Sequence, residues 1–483
     1  MKNIIKINES DNVVIALEDL EKGTIIDVEG QSLELQEDIP MGHKVAITDI
    51  EDIVIKYGFE IGSVTSPVAK GHLINEKNLH SNLENKKEWH YDRFLADKFT
   101  KIDRKMKIMG YPRENGDFGI RNDIWVIPTV GCINQIMKLY LKKYDDLRLY
   151  SHPYGCSQSG EDGENTLLAL SQMIQHPNAG GVLVMGLGCE NTQISMVQEA
   201  VGEHPRVRYV TLQEVDDESE EIDKAIQELK AITAQDKRVP IDASRLRIGV
   251  ECGGSDGFSG ITGNPLLGKF GEHMVTQENS NIVITEIPEF FGAEQCALNL
   301  CESEDVYHKL DDLFLSYREF YESNGIEVYA NPSPGNKQGG ISTLEEKSLG
   351  CINKIGNLPI VDVKDYGCSI EKQGTTVISS PGNDLVATTA LGIAGCHLVL
   401  FTTGRGTPFG GFIPTMKIST NTNLATRKKM WIDFDAGRVL TDDIDVILEE
   451  LHEAVEAICN GKLTRNEENE SFDIAIFKTG VTL

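Results

Sequence analysis

The chain is short of positive charge. Its 46 lysines and arginines face 75 aspartates and glutamates, for a formal net charge of -29 at pH 7. A surface of that sign repels phosphate backbones and anionic lipid, so neither nucleic acid nor membrane is expected as a partner. A run of about 18 apolar residues, the length a spanning helix needs, is also missing. The longest apolar stretches, such as Gly181–Met185, suit buried strands. The opening MKNIIKINESDNVVIALEDL carries acids early and no apolar core. No secretory leader is read there, and a cytoplasmic protein is expected. Ten cysteines in 483 residues are too few for a disulfide scaffold. No Cys-x-x-Cys occurs, and Cys296 and Cys301 are the nearest pair, so reduced thiols are expected.

What is present describes a folded chain of two or three domains. Hydrophobic residues make up 40% and charged residues 25%, ordinary values for buried cores. Residues 1–80 carry β-rich segments at Val13–Leu17, Thr24–Val28, His43–Ile47 and Ile53–Tyr57, punctuated by glycines. They predict a small all-β domain. Residues 81–108 are polar and charged and read as a linker. From there the pattern turns to α/β, with apolar runs ending in Gly- or Cys-bearing turns and helical patterns following: IWVIPTVGC, GVLVMGLGCE, LRIGVECGGSD, HLVLFTTGRG. Two α/β domains with mainly parallel sheets are expected, over 109–240 and 241–483. Such sheets bind ligands beyond the carboxyl ends of their strands. The stretch Asp442–Gly461 reads as an amphipathic packing helix.

Chemistry concentrates in those turns. Cys132, Cys156, Cys189 and Cys252 lie in VGC, YGC, GLGC and ECGG, just after apolar runs. Thiolates at converging strand ends suit ferrous iron or an iron–sulfur cluster, although tight turns also favour small residues. The loop CGGSDGFSGITGNP offers Ser255, Asp256 and Asn264 to a polyhydroxy carboxylate. It lacks the Gly-Lys-Ser/Thr of a phosphate loop. Lys337 stands among glycines in NPSPGNKQGG, as a carboxylate anchor, a buried base or an exposed turn lysine. Arg405 lies between two glycines, where a guanidinium can meet a carboxylate bidentately. Lys417 follows on the next strand-like run, and Arg121 follows the turn in GYPRENGDFGIRND, as substrate contact or ion pair. Glu190, directly after Cys189, is a ligand or an acid. His397, in an apolar context, reads as a core histidine.

Taken together, these segments resemble the altronate/galactarate dehydratase family. GYPRENGDFGIRND, PTVGCIN, GCSQSGED, TEIPEFFGAE, SLGCI, SPGNDLVATTALGIAGC and PTMKI occur in order over about residues 110–435. The first domain is similar to the SAF (β-clip) domain fused to that region, through GHKVAI, KYGFEIG and Gly71–Asn78. There the chain departs from the pattern: Asn75 and Lys77 stand where two histidines are expected, and Asn78 is retained.

The resemblance implies a hydro-lyase that removes water across C2–C3 of a sugar acid, D-altronate first, giving a 2-keto-3-deoxy acid. It implies a divalent metal, Fe2+ ahead of Mn2+ or Mg2+, with an iron–sulfur cluster as the alternative that the cysteines raise. A homodimer is also implied. Within it, Lys337, His43 and Glu190 are the candidates for proton transfer. Galactarate or another aldarate, sulfolactate elimination and a non-catalytic sugar-acid sensor are the competing readings.

Overall fold

A computed structural model describes residues 3–83, 89–94, 96, 98–158, 160–328 and 331–480. Residues 3–83 contain strands and no helix. Ile4–Ile5, Val13–Ala16, Lys44–Ala46 and Leu73–Ile74 form one antiparallel sheet, and Ile53–Lys56, Phe59–Val64 and Leu79–His80 a second. Two hairpins close on the pairs Glu29-Gly30 and Tyr57-Gly58, with all four residues at positive φ. That left-handed two-residue turn matches the twist of its strands, and glycine takes its second position without strain.

Residues 98–107 run without helix or strand over the C-terminal region. Side chains there hold the backbone: Glu272 accepts from Thr100 N at 2.8 Å, and Glu278 from Met106 N at 3.0 Å. An antiparallel ribbon of Phe118–Gly119, Ile108–Pro112 and Val239–Ile241 then joins the two α/β parts.

The first α/β part is a four-stranded parallel sheet in the order Leu147–Leu149, Asp123–Pro128, Ala179–Gly186, Val207–Thr211. The second has seven parallel strands, ordered Ile360–Lys364, Gly374–Ile378, Asn281–Ile284, Arg247–Cys252, Leu398–Thr403, Thr415–Ser419, Phe434–Asp435. Helices cover both faces, so central strands such as Leu398–Thr403 are buried along their whole length and read as continuous apolar runs. Helix Ile444–Cys459, capped by Asp443, buries Ile447, Leu448, Leu451, Val455 and Ile458 at helical spacing.

Helices Glu161–Ile174 and Asp384–Ile393 pack between the sheets. Just past their C-terminal ends, His176 Nε2 meets Cys396 O at 3.1 Å, and Asn178 Nδ2 donates to His397 O at 2.8 Å. The strands that follow each helix therefore start side by side. They share one core through Val184, Val399 and Phe401. His397 is fully buried there, between Phe118 O and Arg247 N. Among the described residues, no helix is long and apolar enough to cross a membrane.

Candidate functional site

At the carboxyl edge of the seven-stranded sheet, three loops meet on Asp256. Its carboxylate accepts from Thr420 Oγ1 at 2.8 Å, Asn421 Nδ2 at 3.0 Å, Ser259 Oγ at 3.1 Å and Phe258 N at 3.1 Å. Burial nevertheless raises its pKa. A Cβ on Gly404 would collide with Asp256, so glycine is required where the Arg405 loop approaches. Asn264 is likewise committed, between Gly350 O and Thr402 Oγ1. Both residues organise loops. Ser255 is different: its Oγ is buried without a partner.

Above these loops lies a cavity of about 320 Å³, lined by Met41 of the β domain, Gln338, Arg405, Asn421 and Arg427. Arg405 is exposed and donates to Gln338 Oε1 at 2.7 Å. Gly42 and Gly340 press backbone to backbone at the rim. This contact brings the His43 backbone against Gly340 beside the half-buried Lys337 turn, next to the cavity and outside its lining. His43 is buried, and burial, then the charge of Lys44, lowers its pKa below 6.5. It is therefore neutral at pH 7.

The β domain is anchored by charge. Lys44 Nζ donates to Glu346 at 2.8 Å, to Ser342 Oγ at 2.9 Å and to Gly340 O at 2.8 Å, and Lys56 Nζ donates to Glu346 at 2.7 Å. All three charged side chains are buried. Burial alone would raise the Glu346 pKa, but Lys44 and Lys56 bring it down to about 2.

Beneath the cavity loops, Cys252 ends its strand beside Cys351, Sγ to Sγ at 3.3 Å. Glu289 Oε2 lies 3.1 Å from Cys351 Sγ and 3.7 Å from Cys252 Sγ. The three ligand atoms fall within 4.8 Å of one another, all buried. Lys354 Nζ donates to Cys252 Sγ at 3.2 Å and pairs with Glu286, while Lys347 Nζ donates to Glu289 at 2.6 Å. The bond from Cys351 brings the Cys252 thiol down to about 7 despite burial, with help from the Lys354 charge. Cys351, the other partner in that contact, is raised. Glu286 sits at φ 66°, left-handed for a side chain with no αL preference, a strain of about 1–3 kcal/mol that clusters at functional sites. One oxygen each of Glu286 and Glu251 is buried without a partner. Asp384, packed against Gly253, is pushed up to about 6 by burial and by Glu289.

The four candidate metal cysteines divide three and one. Cys252 joins Cys351 inside the edge of the large sheet, whereas Cys132, Cys156 and Cys189 are exposed at the carboxyl edge of the small one. Glu190 accepts from Thr129 Oγ1 at 2.6 Å, Leu187 N at 3.0 Å and Gly188 N at 2.6 Å. Burial raises its pKa, but these bonds outweigh burial and keep it ionised. It thereby fixes the Cys189 turn. Arg121 lies at the opposite, amino end of its strand, bidentate to Glu467 at 2.6 and 2.9 Å. Lys417 is buried, donates to Phe409 O and lies over the rings of Phe401 and Phe409. Burial lowers it to about 8. Neither lines the cavity.

Cys351, Glu289, Lys347 and Lys354 escape a reading of composition and turns. Their one sequence signal is the 347, 351, 354 spacing, which puts Lys, Cys and Lys on one side of a helix and its last turn.

Family models match along the whole length. The altronate/galactarate dehydratase SAF domain covers residues 2–82, the D-galactarate dehydratase/altronate hydrolase second domain 110–236, and the D-galactarate/altronate dehydratase C-terminal region 243–482. The chain is 45% identical to an altronate dehydratase of Bacillus subtilis (strain 168), over 100% of both chains. The chain belongs to the galactarate/altronate dehydratase family. It is also 45% identical to an altronate dehydratase of Escherichia coli (strain K12), over 99% of each. With the galactarate dehydratase (L-threo-forming) of that organism it shares 29%, over 91% of this chain and 89% of the relative. As a member of this family the chain is a carbon–oxygen lyase of the dehydratase type.

Asn75 N donates to Asn78 Oδ1 at 2.9 Å, Lys77 N to Asn75 Oδ1 at 2.9 Å, and Asn78 Nδ2 to Leu73 O at 2.8 Å. The side chains at 75 and 78 close the turn on itself, and Lys77 is exposed.

Proposed function

We propose that this chain dehydrates D-altronate to the 2-keto-3-deoxy acid, with metal assistance. The full-length similarity to two altronate dehydratases carries the substrate. The chemistry rests on the Arg405 cavity and on the buried Cys252–Cys351–Glu289 cluster, both at the carboxyl edge of the seven-stranded sheet. The C2 proton of an aldonate is weakly acidic, and its removal builds an enediolate-like dianion that needs fixed positive charge. Arg405 holds the carboxylate, with Arg427 and Asn421 beside it. His43, neutral at pH 7, takes the C2 proton, and Lys337 protonates the departing C3 hydroxyl.

Two thiolate donors and a carboxylate fit a borderline ion such as Fe2+ better than Mn2+ or Mg2+. Glu286, which accepts from Cys252 N and has one buried, unpartnered oxygen, lies beside them. Cys252, Cys351 and Glu289 would hold the ion, with Lys354 and Lys347 balancing the donor charge. When bound, such an ion supplies Lewis-acid polarisation of substrate oxygens. We place the enzyme in the cytoplasm as a homodimer, a state that sedimentation of the purified chain tests.

The deciding experiment is a panel of aldonates and aldarates assayed for 2-keto-3-deoxy product with iron, manganese or magnesium present. D-altronate is expected to turn over fastest and galactarate more slowly. Absence of keto acid from every member would sink the reading. Arg405→Lys keeps the charge and loses the planar fork. It is expected to raise KM for D-altronate about 10–100-fold with a smaller change in kcat, a loss of about 1.4–3 kcal/mol of uniform binding. An unchanged KM would remove Arg405 from the site.

A further inference from the structure

Cysteine is among the most buried residue types. Of the ten cysteines here, five are buried and two are half-buried. The three exposed ones are Cys132, Cys156 and Cys189, and all lie at one edge of one sheet. Each follows a glycine in a turn after a parallel strand: Gly131-Cys132 after Asp123–Pro128, Gly155-Cys156 after Leu147–Leu149, Gly188-Cys189 after Ala179–Gly186. These three strands are neighbours, with Asp123–Pro128 in the middle.

The three turns are tied into one surface. Gly131 N donates to Tyr154 O at 2.8 Å, Thr192 N to Gly155 O at 3.0 Å, and Ser157 N to Asn191 Oδ1 at 2.8 Å. The Cys156 turn is thus hydrogen-bonded to both others, in each case within three residues of the cysteine. A Cβ on Gly155 would overlap Thr129 O, and one on Gly131 would crowd the backbone of His152 and Pro153. Glycine is needed at both positions for the backbones to come this close. Glu190 and Thr129 brace the turns from behind. Gln213 Nε2 points an N–H at Cys189 Sγ from 3.7 Å, a contact of the kind that tunes sulfur ligands.

We propose that Cys132, Cys156 and Cys189 hold an iron–sulfur cluster of the cubane type, ligated by protein at three corners. The fourth iron faces solvent and is open to an oxygen ligand. Among the described residues these thiols do not gather within 4.8 Å. A single tetrahedral ion needs its sulfurs closer than that, whereas a cubane spaces its cysteine ligands more widely. Binding consumes three thiolates and releases their protons, with no change of oxidation state in the protein. This centre is separate from the Cys252–Cys351–Glu289 cluster, which lies inside the edge of the other sheet.

The test is anaerobic reconstitution of the full-length chain with ferrous iron and sulfide, followed by desalting. Iron, acid-labile sulfide, visible absorption and electron paramagnetic resonance after dithionite reduction are then measured. The expected result is about four sulfide per chain, about four iron beyond any held at the Cys252–Cys351–Glu289 cluster, and a broad visible band that reduction bleaches. Cys132→Ser, Cys156→Ser and Cys189→Ser should each lose sulfide and absorption to background while melting like the parent. Because the three positions are exposed, their serine variants fold. Cys368→Ser, at a half-buried thiol outside the edge, should keep the full signal. A colourless parent that holds zinc or no metal after reconstitution overturns the proposal, and so does a Cys132/Cys156/Cys189 triple serine variant that still carries sulfide.

Discussion

Replacing Glu346 by glutamine lowers the unfolding free energy by about 3–5 kcal/mol, because two buried ammonium groups lose their shared counter-charge. Lys44 and Lys56 reach Glu346 from the β domain at 2.8 and 2.7 Å, and none of the three has access to water. The pH dependence has a definite sign. Glu346 is depressed from 4.5 to about 2 in the folded chain. Its contribution is therefore complete above pH 4.5 and is lost as pH falls through the window down to about 2. A shift of that size corresponds to about 3 kcal/mol, which agrees with the expected cost of the substitution. Urea unfolding at pH 7 and pH 3 checks both statements. The parent should lose stability between those pH values, and Glu346→Gln should lose less. Replacing all three groups by Met, Met and Leu should recover most of the loss, since a buried ion cluster is often no better than apolar packing. A Glu346→Gln variant within about 1 kcal/mol of the parent would mean the cluster is solvated. His43 neighbours Lys44, so the same variant should lower kcat by loosening the rim of the cavity.

Cys351→Ser should reduce keto-acid formation by about 10²–10³-fold, the scale of losing a group that stabilises transition-state charge. Serine keeps the size of cysteine and removes the soft donor. In the same variant, metal retained after dialysis should fall to background at the Cys252–Cys351–Glu289 site. Full activity and unchanged metal content in Cys351→Ser would rule out ligation by this pair. Glu289→Gln is the companion variant: it keeps the shape, removes the third ligand charge and should weaken metal retention with both cysteines left in place.

Much of this architecture is visible in the chain before any coordinates. Short β-rich segments punctuated by glycines mark the β domain. Continuous apolar runs ending in Gly-Cys or Gly-Arg mark parallel strands and their functional ends. Arg405 is legible because glycines on both sides leave it no local partner. Cys132, Cys156 and Cys189 are legible as turn residues for the same local reason. Arg121 and Lys417 are equally conspicuous in sequence, yet Arg121 is taken up by Glu467, 346 residues away, and Lys417 by the carbonyl of Phe409 and two rings. A charged side chain advertises its charge and says nothing of which distant group will neutralise it.

Local chemistry and periodicity determined the strand–turn–helix order, the glycine-braced cysteines and the family resemblance, because each depends on residues near in sequence. Only the tertiary structure decided that Cys252 belongs with Cys351 and Glu289 while the other three cysteines share a different edge. It alone brought Glu346 between two lysines of the first domain. Such groupings arise from the register of parallel strands and the docking of separate layers, which bring together residues tens to hundreds of positions apart. The sum of those contacts, and no single segment, sets which thiol is buried and which is exposed.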